Sequence, residues 1–120
     1  MSATFDYKNP LEARVITIDA SADLAAGETL TNIMSTSISV VRGVDTVPAL
    51  TVTNPAINPT SLSIVTTNGS SVTVAANSAV QAEVSGGLNA VWYLITFLCA
   101  TSNSNKTIAV TGVLPISVTA

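Results

Sequence analysis

The chain has 120 residues, with four basic and seven acidic side chains and no histidine. Apolar residues make up 48% of it but aromatic residues only 4%, so a core must be built mainly from aliphatic side chains. Charged residues are 9%, against about 25% in an ordinary soluble domain. This composition predicts one globular domain and argues against disorder, against a nucleic-acid partner and against a basic membrane-binding face.

From position 14 onwards, short runs rich in β-branched residues alternate with turn residues. A turn or single helical turn is predicted over 23–27, and Asn54-Pro55 and Asn58-Pro59 are predicted to stop strands because proline lacks a ladder donor. The strands predicted in the first half are 14–19, 30–34, 37–42 and 50–53.

The clearest local pattern is a hairpin. Alternating runs at 61–66 and 71–74 flank Thr67-Asn68-Gly69-Ser70, in which Asn-Gly tolerates the positive φ angles of a type I′ turn. We therefore predict a tight hairpin here, followed by a strand at 80–84 that ends at Gly86-Gly87.

The apolar run 90–100 is predicted to be the central strand, with 107–110 and 116–118 as the last strands. Val91, Tyr93, Ile95, Phe97 and Cys99 would occupy one face of it. Trp92, Leu94, Thr96 and Leu98 would occupy the other. Since both faces are apolar, both need cover, one from the core and the second from a neighbouring subunit. A buried helix is the alternative, which the β-branched and aromatic content disfavours.

About seven to nine short strands at this spacing predict an all-β antiparallel sandwich, with a single domain over 13–120. Residues 1–12 have no strand pattern and are predicted to be an extended N-terminal arm lying along an adjacent subunit. Aromatic side chains concentrate in interface hot spots, although a core position is the alternative for Trp92 and Tyr93. The candidate subunit-contact residues are Tyr7, Lys8, Pro10, Leu11, Trp92 and Tyr93.

The inventory of side chains argues against an enzyme. Without histidine, no Ser-His-Asp or Cys-His arrangement can form. The single cysteine, Cys99, lies in an apolar run and is predicted to be a core residue. Asp19, Asp23 and Glu28 could supply oxygen ligands to Ca²⁺, but their spacing does not match an EF-hand, and strand-end and capping roles are the simpler interpretation. We predict no catalytic, cofactor or metal site, no membrane span and no small-molecule substrate.

Two segments resemble a family of small virion proteins of tailed bacteriophages. The first comprises Y-K-N-P-L-E at 7–12, I-T-I-D at 16–19 and D-L-A-A-G-E-T-L at 23–30; the second is G-G-L-N-A-V-W-Y-L-I at 86–95. The family's opening motif has aspartate where this chain has Asn9, and Lys106-Thr107 stands where a Glu-Arg pair is expected.

The resemblance implies an immunoglobulin-like sandwich and a structural role in the virion. The chain would act as a neck or tail-fibre adaptor or as a capsid decoration protein. Its partners would be capsid, portal, neck or fibre proteins, and it would form a homo-oligomer or symmetric array. The alternative is a carbohydrate- or receptor-binding sandwich, which the absence of aromatics from the predicted loops 54–60, 68–69 and 103–105 disfavours.

Overall fold

Nine β-strands and one 3-10 turn make up the described part of the chain, residues 2–65 and 68–120, in a computed structural model. The short 3-10 turn spans Ser21–Asp23, within two residues of the predicted turn. The strands, in chain order, are β1 Ser2–Thr4, β2 Ala13–Asp19, β3 Leu30–Arg42, β4 Leu50–Ile57, β5 Leu62–Val65, β6 Ser71–Val74, β7 Ala79–Gly86, β8 Trp92–Thr101 and β9 Thr107–Pro115. The predicted all-β class is confirmed.

The core lies between two facing sheets in a sandwich-like arrangement. One sheet has the strand order β1-β9-β8-β3 and the other β2-β7-β4, while β5 and β6 form a separate pair. Every pairing of named strands is antiparallel except that of β1 with β9. Ile16 and Val84 from the three-stranded sheet join Phe97 and Leu114 from the four-stranded sheet in one buried cluster.

Strand β8 is an inner strand of its sheet, and its side chains alternate as predicted. Tyr93, Ile95, Phe97 and Cys99 are all 0% exposed, whereas the residues between them are half-buried. This alternation shows a strand with one face in the core and excludes the helical alternative. Burial raises the pKa of the Cys99 thiol, in keeping with a core role for that side chain.

Several strands are longer than the sequence predicts. The predicted pair 30–34 and 37–42 is one strand, β3, with three register shifts against β8. The predicted stop at Asn54-Pro55 is wrong, because β4 continues through it. The register shift between Thr53 and Ala56 leaves both residues outside the regular ladder, and Asn54 takes a φ of 51° there.

The end of the chain and the hairpin also differ from prediction. The predicted strands 107–110 and 116–118 are replaced by one continuous strand, β9, after which Ile116 makes only an isolated bridge to Lys8. The hairpin exists as the β5–β6 pair, but Val65 pairs with Ser71. The connection therefore spans 66–70, one residue longer than the predicted 67–70, and its positions 66–67 lie outside the described residues.

The N-terminal segment lies on its own chain. Strand β1 pairs with β9, and the backbone N–H groups of Phe5 and Lys8 donate to the carbonyl oxygens of Val113 and Pro115, each at 2.9 Å. A Cβ added to Gly112 would stand 2.5 Å from the Phe5 ring, so the missing side chain makes the space that this ring occupies. The segment predicted to be an arm on a neighbour thus completes the four-stranded sheet in cis.

A buried asparagine connects the loops at one end of the fold. Asn58 is 0% exposed, and its side-chain amide donates to the carbonyl oxygens of Thr60 and Ala75 at 2.9 and 2.8 Å. Its side-chain oxygen accepts from the backbone N–H groups of Ser78 and Ala79 at 3.0 and 2.9 Å. One side chain therefore satisfies four backbone groups around the start of β7.

Candidate interaction surface

The outer face of the four-stranded sheet carries a stripe of half-buried apolar side chains. Trp92, Leu94 and Leu98 alternate with the core residues of β8, and Val113 of β9 lies directly beside Leu94. On the other side, the positions of β3 paired with Leu94 and Leu98 are the exposed serines Ser39 and Ser35. Leucines in an inner strand that remain partly open to solvent are typical of a face that another protein covers.

An aromatic cluster closes one end of this face. The Tyr7 and Trp92 rings meet edge to face, with centroids 6.1 Å apart and planes at 85°. Arg42 is paired in register with Trp92, and its guanidinium carbon lies 5.0 Å from the Trp92 ring centroid. Such a cation–π contact contributes about 0.5–1 kcal/mol at an exposed site and holds the guanidinium over the ring.

The cluster borders an open pocket of about 400 Å³ that is also lined by Gly43, Asn89, Ala90, Ile116 and Ser117. Two residues of its wall have left-handed backbone, Gly43 at φ 86° and Ala90 at φ 66°. A Cβ at Gly43 would lie 2.8 Å from the Ala90 carbonyl oxygen, so glycine allows the two backbones to touch. Left-handed backbone at a non-glycine residue such as Ala90 is uncommon and is found preferentially where function fixes a shape.

Tyr7 and Trp92 are thus the two predicted contact residues that the structure brings together on the surface. Tyr7 is 51% exposed and Trp92 is half-buried. Leu11 is 96% exposed and is not part of the pocket lining, and Pro10 is half-buried. These four side chains can still be reached, in whole or in part, by a neighbouring protein.

Tyr93 takes the alternative position in the core. It is 0% exposed, and its hydroxyl donates to the Asp45 carboxylate at 2.6 Å while accepting from the Leu88 N–H at 3.0 Å. Burial, and then the hydrogen bond to Asp45, raise the pKa of Tyr93 to about 12. The hydrogen bond from Tyr93 holds the pKa of the Asp45 carboxyl below its usual range. Tyr93 therefore joins two loops from inside the fold and offers no surface to a partner.

Lys8, another predicted contact residue, is also buried and cannot contact a partner. It is 0% exposed, and its ammonium group donates to the carbonyl oxygens of Asn9 and Gly86 at 2.9 and 2.8 Å. Burial lowers the pKa of this ammonium group. The buried ammonium group is satisfied by hydrogen bonds to backbone carbonyl oxygens, and the bond to Gly86 attaches the N-terminal segment to the end of β7.

Two of the three acidic residues weighed as calcium ligands have structural roles, whereas Asp23 lies inside the 3-10 turn and does not cap it. Asp19 accepts hydrogen bonds from the Ser21 N–H and hydroxyl, at 2.8 and 2.5 Å. Glu28 forms an ion pair of 2.6 Å with Lys106, and this contact is the main reason that the Glu28 pKa is lowered. Within residues 2–65 and 68–120, no group of three potential metal-ligating side chains is found.

Arg42 is the member of the cluster that sequence reasoning missed. It lies at the end of a predicted strand, but nothing in the linear sequence indicates that β3 pairs with β8 in the register that places it over Trp92. Arginine beside tryptophan and tyrosine is the composition that interface hot spots favour.

Across the described residues, no helix is long and apolar enough to span a membrane. No protein-family model, no curated protein and no solved structure matches the chain.

Proposed function

We propose that this chain is a structural protein of a bacteriophage particle, which binds other particle proteins through the outer face of its four-stranded sheet. The single observation that carries the proposal is the combined surface of Leu94, Leu98 and the Tyr7–Trp92–Arg42 cluster, called the outer-face patch below. It supplies aliphatic area and a hot-spot group on one side of a rigid sheet.

The sparse charge of the chain supports the same proposal. A charged fraction of 9% gives a free monomer weak protection against association. The outer-face patch contains one charged side chain, Arg42, which lies over an aromatic ring. A protein that is covered by neighbours in its working state needs little charge on the covered face.

The place in the particle follows from the resemblance at 7–30 and 86–95. A neck or tail-fibre adaptor or a capsid decoration protein, with an immunoglobulin-like sandwich, is the role those segments suggest. The structure changes which residues would make the contact. Since Lys8 and Tyr93 are buried, the partner surface would centre on Trp92, with Tyr7 at its side.

The experiment begins with particles purified from the phage whose genome encodes this chain. Mass spectrometry should find the chain in them at a fixed copy number, and its absence would overturn the proposal. Particles made without the gene should bind the added wild-type protein. Trp92→Ala should bind at least about tenfold more weakly because it removes the centre of the patch. Val72→Ala, which truncates a side chain 43% exposed on β6, is the matched control.

A carbohydrate- or receptor-binding module is the second candidate, and the pocket beside Trp92 is the observation in its favour. Sugars stack on open aromatic faces, but Arg42 occupies one face of the Trp92 ring and Tyr7 meets the ring at right angles. Quenching or a shift of the fluorescence of Trp92, the single tryptophan, on addition of cell-wall or surface glycans would favour this candidate over the first.

A further inference from the structure

The edge strand β3 is the least protected border of either sheet. It is 13 residues long and lies at the end of the order β1-β9-β8-β3. No described strand is hydrogen-bonded to its other side, although β4 of the facing sheet comes close to residues 31–33. Proteins shield such edges with proline, lysine, bulges or very short strands, because free N–H and C=O groups recruit another strand. β3 itself has three register shifts, which lie outside the stretch 35–40. The other three edges have shielding features too. β1 has three residues, β4 contains the bulge at Asn54-Pro55, and β2 begins beside the Glu12–Arg14 ion pair.

Within β3, the stretch 35–40 is regular and open. The register shifts lie before Ser35 and after Val40, so these six positions pair with β8 without interruption. Proline and charged residues are absent from the stretch, whose sequence is S-T-S-I-S-V. It therefore has a free backbone edge and none of the side chains that would repel a second strand.

The core is also open along this edge. Ile38 and Val40 pack against the buried cluster but remain only half-buried, at the rim of the sandwich. Ser35, Ser37 and Ser39 lie on the opposite, outer face beside Leu98, Thr96 and Leu94. A strand added here would cover the aliphatic rim on one face and continue the outer-face patch on the other.

We infer that β3 is the contact through which two copies of this chain pair, antiparallel and about a two-fold axis normal to the sheet. The inference rests on the proposed function and deepens it, since it names a second copy as the first partner in the particle. Such an axis keeps outer face with outer face, so serines meet serines and Ile38 and Val40 meet Thr36, Ile38 or Val40 of the second copy. The stretch 35–40 is therefore complementary to itself.

Charge also favours a second copy over a charged partner strand. Arg42 is the one charged residue of β3 and stands at its end. In antiparallel pairing centred near position 37 or 38, the two Arg42 side chains lie roughly 30 Å apart, at about 3.4 Å per residue, and do not repel each other. Two identical strands can therefore meet without a like-charge contact.

The test is a charge exchange at Ser37, an exposed side chain near the centre of the pairing. Wild-type protein should show a concentration-dependent dimer by sedimentation. Ser37→Lys alone and Ser37→Glu alone should each raise the dimer dissociation constant about tenfold or more, because equal charges then face each other across the axis. An equimolar mixture of the two variants should restore the dimer. Thr73→Lys, an equal charge change at an exposed position of β6, should leave it unchanged.

A wild-type chain that stays monomeric throughout, or a Ser37→Lys variant that dimerises as the wild type does, overturns the inference. A small loss of folding stability in either variant would not change this conclusion. The dimer dissociation constant of each variant alone is compared with that of the mixture, which contains the same variant. A monomer that still binds particles through Trp92 would refute the β3 pairing and leave the proposed function standing. A β3 dimer without affinity for particles would support the β3 pairing and refute the proposed function.

Discussion

Replacing Asn58 by alanine should weaken the fold more than any surface substitution. The change removes no apolar packing of consequence, but it leaves four backbone groups without their partners. Two of these are the N–H groups of Ser78 and Ala79, which lie in residues that are 7% and 0% exposed. Water can reach the carbonyl side of the network more easily than these two buried donors.

The magnitude follows from those two donors. A buried donor left unsatisfied costs about 1–3 kcal/mol, so two of them and the weaker loss at the carbonyl groups together give about 3–5 kcal/mol. Small domains have a total unfolding free energy of about 5–15 kcal/mol. Asn58→Ala should therefore remove a large part of the stability of the chain.

Urea unfolding, followed by circular dichroism, measures this change. With a urea dependence of about 1–3 kcal/mol per molar, the midpoint should fall by about 1–5 M. Asn105→Ala, an exposed asparagine in a turn, is the matched control and should stay within about 0.5 kcal/mol of wild type. A loss below about 1 kcal/mol for Asn58→Ala would show that the four contacts do not form as described.

Asn58→Asp separates the two halves of the network. The carboxylate can still accept from Ser78 and Ala79, but it would face the carbonyl oxygens of Thr60 and Ala75 with no proton to donate. Protonation returns one donor, so the deficit of this variant relative to wild type should shrink as pH falls. A deficit that grows at low pH would contradict this account.

Three further predictions concern the N-terminal segment and two titrating groups. Gly112→Val should destabilise the fold by about 1–3 kcal/mol and expose Phe5 to solvent, measured by urea unfolding and by proteolysis of the N-terminal segment. The Glu28 pKa is lowered in the fold, so the unfolded chain binds more protons. The stability from the Glu28–Lys106 pair should be present above the unfolded pKa, near 4.5, and lost as pH falls through the folded value, a dependence that Glu28→Gln should reduce. Tyr93 has the opposite sign, since its pKa is raised to about 12. Its contribution should be full below pH 10 and lost as pH rises towards 12, and Tyr93→Phe should flatten that decline.

Each of these has a result that would contradict it. Unchanged proteolysis in Gly112→Val would mean that the Phe5 ring does not depend on the space beside β9. An acid unfolding curve that Glu28→Gln leaves unaltered would assign the acid sensitivity to other carboxyl groups. For Tyr93, a pKa near the ordinary tyrosine value, measured by absorbance of the ionised ring in a Tyr7→Phe background, would show that its hydroxyl is solvated.

The parts of the fold that depend on local pattern were predictable. The alternation of Tyr93, Ile95, Phe97 and Cys99 with Trp92 and Leu94 has the period of a strand, and the period alone assigns them to two faces. Because both faces carry apolar residues, the period does not show which of them is left half-covered, and the burial of the side chains settles it. The all-β class depends on such repeats and on turn residues, both of which act over a few positions.

The parts of the fold that depend on pairing between distant residues could not be predicted from the sequence. Lys8 is a surface residue by every sequence rule, and its burial requires the Gly86 carbonyl, 78 positions away. Pro55 should stop a strand, but the bulge in β4 places it where no ladder donor is needed. The register of β3 on β8 brings Arg42 to Trp92. Since no short turn connects these two strands, local sequence pattern does not show which residues of β3 and β8 lie opposite each other. The sequence therefore predicted only part of the candidate site: Tyr7 and Trp92 were identified, but Arg42 was not.

The docking of the N-terminal segment also sets an order on folding. Residues at the beginning of the chain contact residues at its end, as in the bond from the Asn9 side chain to the Ala120 carbonyl, 111 positions apart. During synthesis, β1 leaves the ribosome first but has no strand to join until β9 has followed. Closing so long a loop is entropically slow, so β1 should be the last strand to join the four-stranded sheet. Until then the β9 edge is free, and the newly made chain has a second open border that the finished protein no longer shows.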